Sequence, residues 1–486
     1  MVFRHLLIVS KKNTSNMANK NFPPSSFEDA LYHFEHLEKR LDLASWRIHG
    51  IYVWKLIRFP LFRQYRLFHG IGETAHPESQ RLRKSKVQLI KKFPTQLIFR
   101  NPFFFSNSEA RRVVIPHPRK RLYEGKLVDP ISFRAWADSQ ANDSLILDRT
   151  SPLDPTSLPN APDNDVMVRL GWIIGQLMSF RLSQNDVERI NAIQRALSDD
   201  LKIDGLNLQQ FLVKNAKAFK GQVIAYKAFF RFIKPKGIYL VISYGCEAPI
   251  AAAQELGIPT AEFQHGSMDR GHLGYDFADW DSVPYFPDHL LAWGEAWFSE
   301  CALPRHCKTH LVGAPHLVSA ICEAQNLIKR QERSLLVLSQ GPIGGKLLAS
   351  TVEFARKRPD WNVKIRPHPS ENDINVKREL YLLDSTVAKK IEISSAESLA
   401  EASNQASVVL GVNSTALLEA LLSGCRVAIL RLSESASYFQ PLINSGNAQI
   451  VLSGKDLADR IDDLPIGSAR NYFSDPVTDI FPLVEA

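Results

Sequence analysis

The sequence predicts an α/β protein: two parallel-sheet domains facing a cleft, with a helical and basic N-terminal extension. Three observations carry this reading. The chain has 486 residues, too long for one ordinary domain; length suggests about three, or two large α/β domains with extensions. Its composition is 45% hydrophobic and 23% charged, which is globular rather than disordered or fibrous. From Lys236 onward, near-continuous apolar runs alternate with helical patterns, the signature of parallel strands covered on both faces.

Residues 1–24 read as a flexible leader. Their apolar run FRHLLIVS precedes the basic KKNTSNMANK, the reverse of a signal peptide, and Met17 is an alternative start. Residues 25–130 are aromatic and basic, with helical patterns such as FEDALYHFEHLEKRLDLASW. Residues 151–163, with four prolines, read as a loop. Val166 to Ile233 reads as helical and holds no proline.

The alternation then begins. Strands are expected at 236–245, 258–266, 288–293 and 309–312, with a helix at 248–257 closed by Gly257. After a division near 294–330, strands are expected at 333–341, 361–369, 407–412 and 425–431, and helices at 344–360, 398–406 and 414–424. Two such sheets imply two Rossmann-like domains, whose ligands bind beyond the carboxyl ends of the strands.

Net charge is +8, but residues 1–130 carry 24 Lys/Arg against 10 Asp/Glu. The remainder carries 35 against 41, so the basic character belongs to the N-terminal quarter. The five cysteines are scattered and never in CxxC spacing, which argues against a disulfide scaffold or zinc ribbon and suits a reducing cytosol. No stretch approaches the roughly 18–20 apolar residues of a membrane helix.

Four clusters fall at the expected strand ends of the second domain. Ser339, Gln340, Gly341, Pro342, Ile343, Gly344, Gly345 and Lys346 join a strand to a helix; glycines let backbone N–H groups approach an anion. The string is neither a Walker A loop nor GxGxxG, and a plain tight turn is an equal reading. Arg366-Pro367-His368-Pro369 sets a cation and an imidazole on a rigid strand end, suited to binding phosphate and protonating a leaving oxygen. Asn413-Ser414-Thr415 opens a helix with hydroxyls that cap it and, with free N–H groups, make an anion site. Glu419, one turn on, is placed to accept hydrogen bonds from a ribose. Together these describe a pocket for a nucleotide mono- or diphosphate.

The first domain has its own cluster. Glu262 to Ser267 (EFQHGS) and Tyr244 to Pro249 (YGCEAP) end adjacent strands. His265 and Glu247 are the candidates for taking a proton from an acceptor hydroxyl, His265 being the better placed beside Gly266. Two D-x-D strings, at 163–165 and 279–281, read as loop acids, and no spacing suggests a dedicated metal site.

The strings EFQHG, RPHP and NSTALLEALLSG resemble, over about residues 236–455, bacterial capsule and surface-polysaccharide glycosyltransferases of the GT-B fold. The broader group includes polysialyltransferase-like enzymes, capsule Kdo transferases and CDP-glycerol glycerophosphotransferases. The resemblance implies that His368, Ser414 and Thr415 contact the donor phosphate and that Arg366 supplies charge there; Glu419, Gln340, Gly341 and Gly344, read from their strand-end positions, complete the expected donor site. It implies that Gln264, His265 and Gly266 line the acceptor side. It divides the chain into an acceptor-side domain (25–300), a nucleotide-sugar-binding domain (301–470) and a tail (471–486) returning to the first domain. The acidic base motif of the sialyltransferase branches has no counterpart here.

The implied activity is an inverting, metal-independent transfer without a cofactor, the nucleotide-sugar being substrate. Its acceptor is a growing glycan, free or lipid-linked, in the cytoplasm or at the inner membrane face. Residues 51–130, with 17 Lys/Arg and 5 Asp/Glu and interleaved Tyr52, Trp54, Phe59, Phe62 and Phe68, together with Trp46 just before them, suit an anionic membrane or an acidic polysaccharide. No nucleic-acid-binding signature accompanies the charge. The alternatives are a CDP-linked polyol-phosphate transferase and a non-catalytic glycan- or membrane-binding protein on a degenerate GT-B fold.

Overall fold

A computed structural model describes residues 24, 26–71, 97–105, 111–118, 120–123, 126–132, 143–149, 162–268, 270–299, 301–340, 344–368, 371–394, 397–412, 414–432 and 439–485. The leader short of Pro24, Gly341, Asn413, Pro369, the basic strings at 81–86 and 91–92, and most of the proline-rich loop lie outside these residues.

Two six-stranded sheets organise the molecule, each parallel throughout, as the two-domain α/β reading expects. The first contains β1 (Arg112–Ile115), β2 (Ser144–Ile146), β3 (Gly237–Val241), β4 (Thr260–Phe263), β5 (His289–Ala292) and β6 (Lys308–Leu311), in the order β6-β5-β4-β3-β1-β2. The second contains β7 (Ser334–Leu338), β8 (Asn362–Arg366), β9 (Ile391–Ile393), β10 (Val408–Gly411), β11 (Arg426–Leu430) and β12 (Gln449–Val451), in the order β9-β8-β7-β10-β11-β12. Strands β1, β3, β4, β5, β7 and β10 are buried at every residue, as strands of a parallel sheet covered on both faces are.

β6 pairs with β5 at Thr309 and Leu290, so the first sheet continues past residue 300. β1 and β2 enter this sheet from the basic segment and had no strand signal of their own: each is short, and Arg and Pro flank β1.

Five longer helices cover the first sheet or precede it: α1 (Phe27–Arg40), α2 (Val53–Phe68), α3 (Asn164–Leu177), α4 (Gln184–Leu201) and α5 (Leu208–Ile233). They are followed by α6 (Glu247–Gln254), α7 (Pro315–Leu327), α8 (Gly344–Lys357), α9 (Asp373–Leu383), α10 (Leu399–Gln405) and α11 (Ala416–Leu422). The 163–165 acids are not in a loop: Asp163 caps α3, accepting from Asp165 N, and faces Arg100 at 3.4 Å in a buried ion pair.

α2 corrects the expectation of a basic aromatic surface. Trp46, Trp54, Phe62 and Tyr65 are core residues, and Lys55 and Arg58 are buried beside them. Arg58 Nε and Nη2 reach the two Glu38 carboxylate oxygens at 2.7 and 3.0 Å, and Nη1 donates to the carbonyls of Leu273 and Asp276 at 3.0 and 2.6 Å. Trp54, Phe62 and Tyr65 pack α2 against Phe27 and Phe34 of α1 rather than facing outward; Phe68 alone of the six is exposed.

Residues 293–297 and 469–484 pass between the sheets. Trp297 Nε1 donates to Tyr472 O at 2.6 Å, and Ser474 N to Trp293 O at 2.7 Å. Ile480, Phe481 and Val484 then bury against Val114, Tyr239, Val241 and Phe263 of the first sheet. Arg112 and Tyr239 close this contact on the Glu485 carboxylate, at 2.9 and 2.8 Å.

Candidate functional site

In each sheet the chain begins a strand, continues to one side, then crosses back to the other. That reversal lies between β1 and β3 in the first sheet and between β7 and β10 in the second. At such a point adjacent loops diverge and leave a crevice beyond the carboxyl ends of the strands. The sequence-predicted residues fall on the carboxyl-end loops at these reversals or one strand away from them.

In the second sheet, the loops after β7 and β8 are tied together by Glu371, which sequence reasoning did not single out. Ser339 Oγ donates to Glu371 Oε1 at 3.0 Å, and His368 N donates to Glu371 Oε2 at 2.7 Å. Glu371 N returns a bond to His368 O at 2.7 Å. A Cβ at Gly344 would stand 2.9 Å from Glu371 Oε1, so this close approach explains the glycine at the start of α8. Gln340, half-buried, lies on the same turn.

His368 is exposed on this scaffold, with Pro367 buried beneath it. Arg366 is half-buried and donates to Glu397 O at 2.5 Å. That bond aims its guanidinium toward the segment before α10, so the expected pairing of Arg366 with His368 on one anion is only partly realised.

The loop after β10 carries Ser414 and Thr415, both half-buried. Ser414 Oγ accepts from Ala416 N at 3.3 Å. Thr415 makes no side-chain capping bond, so of the two expected caps only one hydroxyl serves. Glu419 is half-buried on α11, where its N–H meets Thr415 O at 3.4 Å. β8 and β10 flank β7, which sets the His368 and Ser414 loops about 10 Å apart at a strand spacing of about 4.8 Å. A nucleotide diphosphate spans such a gap.

In the first sheet, His265 follows β4 and stands among aromatic rings. Tyr244 Oη lies 3.3 Å from its Nε2 and Tyr275 Oη 3.4 Å from its Nδ1. The His117 ring, after β1, is 6.0 Å away between centroids. Tyr275 Oη donates to Glu262 Oε1, which also accepts from Ser243 N at 3.0 Å. With its own proton directed at Glu262, the Tyr275 oxygen can accept from Nδ1–H, the tautomer in which Nε2 is the acceptor facing the Tyr244 hydroxyl.

Glu262 is fully buried, and its Oε2 finds no hydrogen-bond partner among the described residues. Burial pushes its pKa up to about 7, against the bonds from Tyr275 and Ser243. His272, stacked on Phe59 at 5.4 Å and packed on Tyr275 at 4.8 Å, is pushed down to about 4 by burial and stays neutral.

Glu247 accepts from Gly245 N at 3.0 Å and faces the buried Lys55 ammonium at 3.9 Å. Burial lowers the Lys55 pKa, and Glu247 opposes that shift. The turn leading here is strained: Ile242 has φ of 78°, a left-handed conformation costing a β-branched residue about 1–3 kcal/mol.

Gln264 is corrected as an acceptor-lining residue. It is fully buried, its Oε1 accepts from Trp293 N at 2.7 Å, and its Nε2 donates to Gly266 O at 2.9 Å. It supports the His265 turn from behind. Gly266 is half-buried, and a Cβ there would meet nothing within 4 Å.

The residues that sequence reasoning passed over are Lys55, His117, Tyr275 and Glu371. Only His117 left a signal: Pro116-His117-Pro118 repeats the Pro-His-Pro string of 367–369 at the end of a strand.

A cavity of about 910 Å3 opens at the opposite edge of the first sheet, lined by Lys236, Gln254, Asp288, His289 and Glu485. Asp288 is bonded to Thr260 and Gln254, and His289 to His310 at 2.9 Å. Lying at the amino ends of the strands, this cavity is apart from the crevices described above. Among the described residues, no three His, Cys, Asp or Glu side chains gather as a metal-holding group, and no helix is long and apolar enough to cross a membrane.

No family model matches the chain, and no curated protein does. Solved structures resemble it at low identity. UDP-GlcNAc 2-epimerase from Neisseria meningitidis, bound to UDP-GlcNAc, is 12% identical over 76% of this chain and 94% of that one, with a TM-score of 0.41. MurG of Acinetobacter baumannii is 12% identical over 72% and 90%, with a TM-score of 0.41. CalG4, the calicheamicin glycosyltransferase, is 13% identical over 73% and 89%, with a TM-score of 0.42.

Proposed function

We propose that this chain is a GT-B glycosyltransferase moving a sugar from a nucleotide-activated donor to a growing surface glycan of the capsule or lipopolysaccharide type. The observation that supports the reading is the Glu371 clamp, which ties the loop after β8, carrying His368, to the loop after β7, which borders the reversal of the second sheet. The donor's phosphate lies along His368, the turn at 339–344 and Ser414-Thr415, with Glu419 toward the ribose.

The transfer is inverting and metal-independent, and no cofactor takes part. An acceptor hydroxyl gives its proton to His265 Nε2 as its oxygen bonds the anomeric carbon. The bond from that carbon to the phosphate oxygen breaks, and the nucleotide leaves with the electron pair. Positioning and stabilisation of the leaving charge lower the barrier. Glu247, held by Lys55, is the second candidate for the base.

The test is turnover of a panel of CMP-, CDP-, UDP- and GDP-linked sugars, with and without glycan acceptors. The expected result is release of one nucleotide that depends on acceptor and vanishes in His368→Ala while the fold is kept. Full release by that variant would refute the phosphate role. If CDP-glycerol alone is turned over, the protein is the polyol-phosphate transferase; if no nucleotide binds, it is a non-catalytic glycan-binding protein.

A further inference from the structure

The aromatics of α2 are largely buried, but the pair α3 and α5 carries an exposed apolar face. Their backbones nearly touch: a Cβ on Gly171 would lie 2.4 Å from Gln222 Cα, and one on Gly221 2.0 Å from Gly171 O. Glycine at these positions closes the seam, and the large side chains beside it are displaced outward. Trp172 is 48% exposed, Leu177 83%, Ile224 42% and Phe232 58%. Phe103 packs against Phe232 with ring centroids 5.7 Å apart, extending the surface to Phe104, itself 71% exposed. Scattered exposed apolar residues are ordinary, but several on two locked helices are not.

The charge on the same helix selects the occupant. Residues 208–236 contain seven Lys/Arg and no Asp or Glu. Lys214, Arg231 and Lys234 are exposed, and Lys217 and Lys220 are half-buried. A second copy would set like charge against like. An anionic bilayer offers both complements at once, headgroup charge for the lysines and an interfacial layer for Trp172, Leu177 and Phe232. We propose that the α3–α5 face docks the protein on an anionic lipid surface. This does not depend on the catalytic reading.

The test is co-sedimentation of the full chain with vesicles of phosphatidylcholine alone or with added phosphatidylglycerol. The expected result is binding to the mixed vesicles, weakening as salt rises. Lys214→Glu with Arg231→Glu should lower the affinity at least about tenfold, at about 1 kcal/mol per charge near such a surface. Trp172→Ser with Leu177→Ser should lower it similarly at unchanged melting temperature, since both side chains are exposed. Absence of binding to anionic vesicles, or binding that both variants retain, overturns the proposal. So does self-association in solution that Trp172→Ser with Leu177→Ser abolishes, which would assign the face to a second copy.

Discussion

At the edge of the second sheet, Ser339, His368, Ser414 and Glu371 each come from the loop that follows a nearby strand. At the edge of the first sheet, His265 and Glu247 are local in the same way, but Lys55 arrives from α2 and Tyr275 from a loop ten residues beyond His265. One edge is assembled by short-range turns and the other by tertiary contacts. The first kind is robust to distant change; the second depends on whatever holds α2 in place.

The sharpest way to break the comparison is Arg58→Ala. It strands Glu38 in the core and releases two carbonyls of the segment carrying Tyr275. Removing one partner of such a pair costs about 3–5 kcal/mol, so a large fall in melting temperature is expected. Nucleotide binding to the second sheet should survive wherever the protein stays folded. Loss of binding in folded Arg58→Ala would show that the two edges are not independent.

His265→Asn and His368→Ala come next, each expected to lower transfer by about two to three orders of magnitude. The first should spare nucleotide affinity and the second should not. Equal effects on affinity would erase the assigned division of labour.

Glu262→Gln tests the buried end of the His265 chain through pH. The carboxyl ordinarily titrates near 4.5 and is raised to about 7 here. Between these values the folded protein holds a proton that the unfolded chain has released, so this group's contribution to stability falls as pH rises. The variant should lack that slope, gaining on the wild type by up to about 1.4 kcal/mol per pH unit across the window. Parallel stability curves would remove the claim that Glu262 is buried and protonated there.

The smallest effects separate two glycines. Gly344→Ala meets Glu371 Oε1 and should cost about 1–3 kcal/mol. Gly266→Ala faces open space and should stay within about 0.5 kcal/mol. Chemical denaturation of both reads the contrast.

Legibility in the sequence follows the same division. β7 and β10 are apolar runs, each followed by a helix, and β8 alternates around Val363 and Ile365 before its closing prolines, so their terminal residues could be read directly. Glu371 was hidden because its role is a side-chain clamp across two loops, which no periodicity records. Lys55 and Arg58 looked like surface cations because burial of a charge depends on a distant partner, Glu247 or Glu38. Gln264 looked like a lining residue because it adjoins His265; only the pairing of β4 with β5 shows that it points inward.

The most direct measurement is calorimetric titration of CMP, CDP, UDP and GDP into the wild type and His368→Ala. The account expects at least one nucleotide to bind the wild type and to lose about tenfold or more in affinity in the variant, as a charge-assisted contact worth about 1.5–3 kcal/mol would. Undiminished binding to His368→Ala, or no binding to either protein, would contradict it.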